Sequence, residues 1–248
     1  MKADDFMRKL VVMMSVIALF VLPTPADAQQ VERSMVEPKG EVIWEVPMAF
    51  KKVAITFDDG PHPLYTPQIL QILKSYNAKA TFFLTGERIE RFPDLVKREV
   101  KEGHEIGNHS FSHPNFGSLS LRDIEKEIST TEELLLQFQP STQPKLFRPP
   151  GGDLSIPVLG LMKEMDLMPI LWSWHQDPRD WAGRSSEAIS AHVLDNIHNG
   201  DIILLHDSGG NREETVKALK TILSALTERG YQFVTVQELM ETDPIFGF

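Results

Sequence analysis

Five short stretches of this 248-residue chain carry residue types that do chemistry, and each follows an apolar run. Asp58 and Asp59 stand side by side after VAITF, and His109 and His113 fall in HSFSH. Arg148 opens RPPGG, Asp177, Asp180 and Trp181 lie in DPRDW, and His206 and Asp207 close IILLHD. Two imidazoles and one carboxylate make a three-ligand set for a divalent cation, leaving positions open for water and substrate as catalytic zinc sites do. The H-x-x-x-H spacing alone is weak, because eight histidines readily supply such a pair. A carboxylate in a second loop is what gives it weight. One of the adjacent aspartates would ligate the cation, whose charge relieves their repulsion; the other would stay free as a general base. Arg148 is the natural partner to hold that free carboxylate ionised. Asp180 with His206 matches an orienting carboxylate and the imidazole of a general acid. Trp181 reads equally as core packing or as the wall of a sugar-stacking groove. Of the other histidines, His62, His104, His192 and His198 read as surface or structural, and His175 lies near the same loops without a role.

These loops can act together only if the fold brings them to one rim. From Lys51 onward, strand-like runs recur at VAITF, ATFFLTG, EIGNHS, KLFRPPG, MPILWSW, DIILLHD and YQFVTVQEL. Helical patterns lie between most of them: PDLVKREVKEG from Pro93 to Gly103, LRDIEKEISTTEELLLQF, SSEAISAHVLDNIHNG and EETVKALKTILSALTERG. Proline or serine starts and glycine stops punctuate these helices. Strands alternating with helices predict right-handed βαβ units and a parallel sheet. The fold class expected is α/β, a distorted (β/α) barrel of about seven parallel strands with outer helices. In such barrels the site is built from loops at the C-terminal ends of the strands, where all five stretches fall. An open doubly wound sheet is the runner-up. It lacks support because the chain has neither G-x-G-x-x-G after the first strand nor G-x-x-x-x-G-K-[ST].

A net charge of −10 argues against nucleic acid or an anionic membrane surface as partner. The absence of cysteine excludes disulfides, thiolate metal sites and cysteine nucleophiles. Residues 1–28 have the order of a secretory signal peptide: Arg8 and Lys9, the uncharged LVVMMSVIALFVL, then Ala26-Asp27-Ala28. Export to the cell envelope is therefore expected, with no stable membrane insertion after cleavage; an uncleaved anchor is the alternative. Residues 29–48 read as a linker or N-terminal segment, with VIW as a short edge strand, and 49–248 as one catalytic domain. A monomer is expected.

TFDDGP, HSFSH, RPPGG, DPRDW and IILLHD, in this order, resemble the five motifs of the polysaccharide deacetylase family, carbohydrate esterase family 4, with its NodB homology domain. The resemblance spans roughly residues 50 to 240. It implies a metal-dependent hydrolase that removes N-acetyl groups from amino sugars in peptidoglycan, chitin or a related N-acetylated polysaccharide. It implies Asp58 as catalytic base, Asp59, His109 and His113 as metal ligands, and Arg148 as the residue that positions the base. Asp180 would tune the acid and His206 would be the acid. Leu204 and Trp181 would line the pocket for the acetyl methyl group, and the Gly151 N–H would serve the oxyanion. Gly151 departs from the tyrosine many members carry there. Zinc is the cation implied, with cobalt or nickel as alternatives. A metal hydrolase of small amides and a catalytically silent carbohydrate-binding protein are the competing readings.

Overall fold

The computed structural model describes residues 30–139 and 145–242. The leader at 1–28 lies outside the described residues. Among those described, a short helix α1 (Arg33–Val36) precedes β1 (Lys52–Gly60), α2 (Tyr65–Ser75) and β2 (Thr81–Leu84). Then come α3 (Gly86–Arg91), α4 (Pro93–Lys101), β3 (Glu105–Asn108) and α5 (Leu121–Leu135). β4 (Lys145–Phe147), α6 (Ile156–Glu164), β5 (Leu167–Pro169) and α7 (Ser186–Asp195) follow. The chain continues through β6 (Ile202–His206), α8 (Glu213–Glu228), β7 (Gln232–Val234) and α9 (Val236–Met240). The seven strands form one sheet in the order β5-β4-β3-β2-β1-β6, with β7 also on β1, and every pairing is parallel. The sheet curls into a distorted (β/α) barrel.

The period-two alternation of each strand divides its side chains between two cores. Val53, Ile55 and Phe57 of β1, with Ile203 and Leu205 of β6, pack outward under α2, α7 and α8. Ala54, Phe83, Leu146 and Ile202 point inward and fill the barrel, where Val236, Leu239 and Met240 of α9 join them. The inward series continues upward, to Asp58 and His206 within β1 and β6 and to His109 and Arg148 one residue beyond β3 and β4. Burying the apolar sets removes them from water at about 25 cal/mol per Å², and this is what holds those four polar side chains in place.

β5 and β6 are the two ends of the hydrogen-bonded series, and the seam between them is closed by irregular chain. Ser173 N–H donates to Ile202 O at 3.0 Å and Leu204 N–H to Gln176 O at 3.0 Å. The segment expected as a linker fills the rest. Ile43 exchanges bonds with Pro169 and Leu171, and Val46 N–H reaches Gly200 O. Val42, Ile43 and Val46 are fully or nearly fully buried. In place of a strand, Ile43 of VIW makes one isolated bridge, to Ile170, and Glu45 just after it makes another across the seam, to Asp201. YQFVTVQEL also divides: only Gln232–Val234 is strand. Thr235 then caps α9 in a box with Glu238, each side chain bonded to the other's backbone N–H at 3.1 Å.

Candidate active site

Two consecutive strand residues ordinarily point to opposite faces. At the end of β1 the pairing to β2 skips from Asp58 to Gly60, and Asp59 has φ 73°, in the left-handed region. Aspartate visits this region at lower cost than most residues. The resulting bulge turns the Asp59 side chain back to the same rim as Asp58.

HSFSH folds onto Asp59 by similar means. Ser110 (φ 64°) and His113 (φ 56°) are both left-handed, and such strain concentrates at functional sites. The loop is clamped by Glu127 of α5, which accepts from Phe111 N (3.0 Å), Ser112 N (2.7 Å) and Ser112 Oγ (3.0 Å). Asn108 accepts from Ser110 N–H at 2.9 Å. As a result Asp59 Oδ1 lies 3.6 Å from both His109 Nε2 and His113 Nε2. His109 Nδ1 bonds the Arg148 carbonyl at 2.7 Å, which requires the proton on Nδ1 and leaves Nε2 a free lone pair. Burial pulls the His109 pKa below its ordinary value against the opposing pull of Asp58 and Asp59, favouring the neutral ring a cation needs. Zinc bonds of about 2.1 Å at tetrahedral angles hold donors roughly 3.4 Å apart, so the three atoms fit a divalent cation with little movement.

Arg148 is completely buried and makes four bonds: Nη1 to Asp58 Oδ1 and to Thr56 Oγ1, both 2.7 Å, Nη2 to Leu171 O at 2.8 Å, and Nε to Ile170 O at 3.1 Å. Its guanidinium lies 4.1 Å from the centre of the Phe83 ring. Phe83 has room because Gly107 faces it across the sheet; a Cβ there would stand 2.8 Å from the ring. Burial lowers the Arg148 pKa and the Asp58 charge opposes that, so each ion of the pair needs the other. Asp58 is thus committed to Arg148 on one oxygen, and Asp59 is the carboxylate equidistant from both imidazoles. The second Asp58 oxygen, Oδ2, lies 3.7 Å from His109 Nε2, so both aspartates border the cluster, and only Asp59 is also near His113.

On the other side of Asp58, His206 ends β6. Its Nδ1 is 2.7 Å from Asp180 Oδ1, and its backbone N–H donates to Asp180 Oδ2 at 2.9 Å. Thr215 Oγ1 donates to that same oxygen at 2.8 Å. Burial works to raise the Asp180 pKa, but these bonds win and hold it below the ordinary carboxylate value. Burial likewise works to lower His206; the Asp180 hydrogen bond and charge, with Asp58 and Asp59 behind, outweigh it and raise the pKa to about 9. Near neutral pH the ring is an imidazolium with Nε2–H available.

Trp181 is 54% exposed at this rim, which rules out core packing. Leu204 is buried on β6, two residues before His206 and opposite Thr56. Gly151 is exposed with φ 63°, and a side chain there would meet nothing within 4 Å. Asp177 accepts from Arg179 N–H and so shapes the turn into Asp180. Asp207 points away from the reaction rim, buried and bonded by Thr66 Oγ1, with its pKa raised by burial to about 7. Glu127, Thr56 and Thr215 support the site, and nothing in motif spacing singles them out; each is an ordinary helix or strand residue until the fold is known.

The C-terminal rim of this parallel barrel thus gathers an Asp/His/His cluster, an arginine-bonded carboxylate and a carboxylate-bonded imidazolium, groups of the kind a barrel hydrolase uses. The sequence model for polysaccharide deacetylases matches residues 45–170, and this chain belongs to that family. A peptidoglycan-N-acetylglucosamine deacetylase of Bacillus cereus is 50% identical over 84% of this chain and 97% of its own. A crystal structure of a peptidoglycan N-acetylglucosamine deacetylase, in complex with an N-oxidanyl-benzamide, superposes with TM-score 0.78 at 39% identity, covering 85% of this chain and 97% of that one. A family 4 acetyl xylan esterase from Clostridium thermocellum, in complex with a cobalt ion, gives TM-score 0.71 at 37% identity over 79% of this chain and 94% of that one.

Proposed function

We propose that this chain is an exported, metal-dependent N-deacetylase that hydrolyses the acetamide of N-acetylated amino sugars in peptidoglycan, or in a chitin-type polymer, releasing acetate. The observation that carries the reading is the pairing, around one three-residue cluster, of a carboxylate bonded by Arg148 and an imidazolium bonded by Asp180. Amide hydrolysis needs both, a base for water and an acid for the departing amine. The resemblance to peptidoglycan deacetylases supports the substrate class, and the leader at 1–28 supports export.

Asp59, His109 and His113 would hold the cation, most suitably zinc, with cobalt or nickel able to replace it. A divalent cation there supplies Lewis-acid polarisation of the acetamide carbonyl and acidifies water. Asp58 takes the proton from water as its oxygen bonds to the carbonyl carbon. The Gly151 N–H donates to the developing oxyanion. His206 Nε2 gives its proton to the sugar nitrogen as the C–N bond breaks, leaving acetate and a free amine. Leu204 packs against the acetyl methyl group, and Trp181 offers a face on which a sugar ring stacks.

The test is acetate release from peptidoglycan and from N-acetylglucosamine oligomers, combined with metal content. Asp59→Asn should chiefly lose metal, whereas Asp58→Asn should retain it and lose the reaction. Equal metal loss in both would overturn this division of labour, and wild-type protein that binds either polymer without acetate release would overturn the activity.

A further inference from the structure

A second cluster of ligating side chains lies at the opposite end of β6. His175 Nε2, His198 Nδ1 and one carboxylate oxygen of Asp201 converge within 4.8 Å of one another. Asp201 directly precedes β6 and His206 ends it, so five residues of strand, roughly 16 Å, separate the two clusters. His175 belongs to the chain that follows β5, whereas His198 and Asp201 form the turn between α7 and β6. The cluster therefore spans the seam that no strand pairing closes.

The proton count is what makes the arrangement unusual. His175 Nε2 lies 3.0 Å from Asp201 Oδ1 and also 3.0 Å from His198 Nδ1. A ring nitrogen offers either one proton or one lone pair, so His175 Nε2 cannot make a full hydrogen bond to both partners at once. A cation at the centre satisfies all three atoms at once. The surroundings are already those of a held ligand set. Asp201 is 1% exposed, and its Oδ2 accepts from His198 N–H (2.8 Å) and Gln176 Nε2 (3.1 Å), which aims Oδ1 at the two rings. His175 is fixed through its backbone carbonyl, bonded by His192 Nε2 at 3.1 Å, and by edge contact with the His198 ring at 4.7 Å. His198 is exposed, so it can swing the roughly 0.4 Å needed to reach tetrahedral ligand spacing, and water has access to the remaining position.

We propose that His175, His198 and Asp201 form a second divalent-cation site, suited by its imidazoles to zinc, that staples the β5–β6 seam and takes no part in the reaction. Metal bound only by the folded chain stabilises it by mass action. The measurement is zinc stoichiometry on chelator-stripped, re-metallated protein, which does not depend on any deacetylase activity. Wild type should hold two equivalents and His198→Ala one. His109→Ala should also hold one, and adding His198→Ala to it should abolish binding. In the His109→Ala background, zinc at a hundredfold excess over its Kd should raise Tm by roughly 5–10 °C, and this rise should vanish with either His198→Ala or His175→Gln. Zinc content that His198→Ala leaves unchanged overturns the proposal, as does a zinc-induced rise in Tm that survives both substitutions. In either case the trio is a proton-sharing network instead.

Discussion

Replacing Asp180 by asparagine keeps the size of the side chain and removes the charge that holds His206 protonated. With Asp180 in place, the His206 pKa stands at about 9 against an ordinary 6.5. That difference corresponds to about 3 kcal/mol of preference for the imidazolium. Burial opposes the charged ring, so without the carboxylate the pKa should fall to 6.5 or below. At pH 7.5 the protonated fraction then drops from nearly complete to about one tenth or less, and acetate release should fall at least tenfold on that ground alone. The alkaline limb of the rate profile should move from near pH 9 to 6.5 or lower. An NMR titration of the His206 ring in metal-loaded protein should move with it, independently of turnover. The linkage has the same sign: the stability contributed by the raised pKa is complete below 6.5 and disappears as pH rises through about 9. An alkaline limb that stays in place in Asp180→Asn would refute the assignment of His206 as the acid tuned by Asp180.

Two further outcomes follow from buried charges. Arg148→Lys replaces a four-bond fork by a single ammonium and strips donors from buried carbonyls at Ile170 and Leu171. The cost should be about 3–5 kcal/mol, read as a Tm roughly 10 °C lower, and a Tm within 2 °C of wild type would contradict the packing argument. Glu105, inside the barrel, accepts from Thr81, Val236 and Gln237, yet burial raises its pKa to about 7. Its contribution to stability is whole below 4.5 and is lost as pH rises to about 7. Glu105→Gln should therefore gain about 3 kcal/mol on wild type between pH 5 and pH 8 in urea melts, whereas a pH-independent difference would show that Glu105 does not titrate there.

The strands were legible because parallel-barrel strands read as apolar runs and the chain repeats them at even intervals. That Asp58, His109, Arg148 and His206 would meet was legible because polar residues directly after such runs share one rim. What escaped was long-range or conformational. The 42–46 segment looks like linker because its short apolar run, Val42, Ile43, Trp44 and Val46, sits in a polar, proline-bounded stretch, and its burial depends on an unpaired seam elsewhere in the chain. MPILWSW looks like a continuous strand, but its second half leaves the ladder to cross that seam. The Thr235-Val-Gln-Glu238 box was a readable helix start, overridden by the β-branched run around it. The His175–His198–Asp201 cluster could not be read from spacing, since its members lie in two loops and only a tight turn brings His198 onto Asp201.

The left-handed residue at Asp59 bears on how the site tolerates change. The pairs Asp59 with His109, Arg148 with Asp58 and Asp180 with His206 join separate loops and are only as constant as the barrel that carries them. The separation of Asp58 and Asp59 is instead set by one peptide unit and one backbone angle. Thermal loosening, or drift of the surrounding loops over generations, stretches the first kind of distance and leaves the second unchanged. The step from Asp58 to Asp59 is therefore the fixed scale of the site, to which the other loops must adjust.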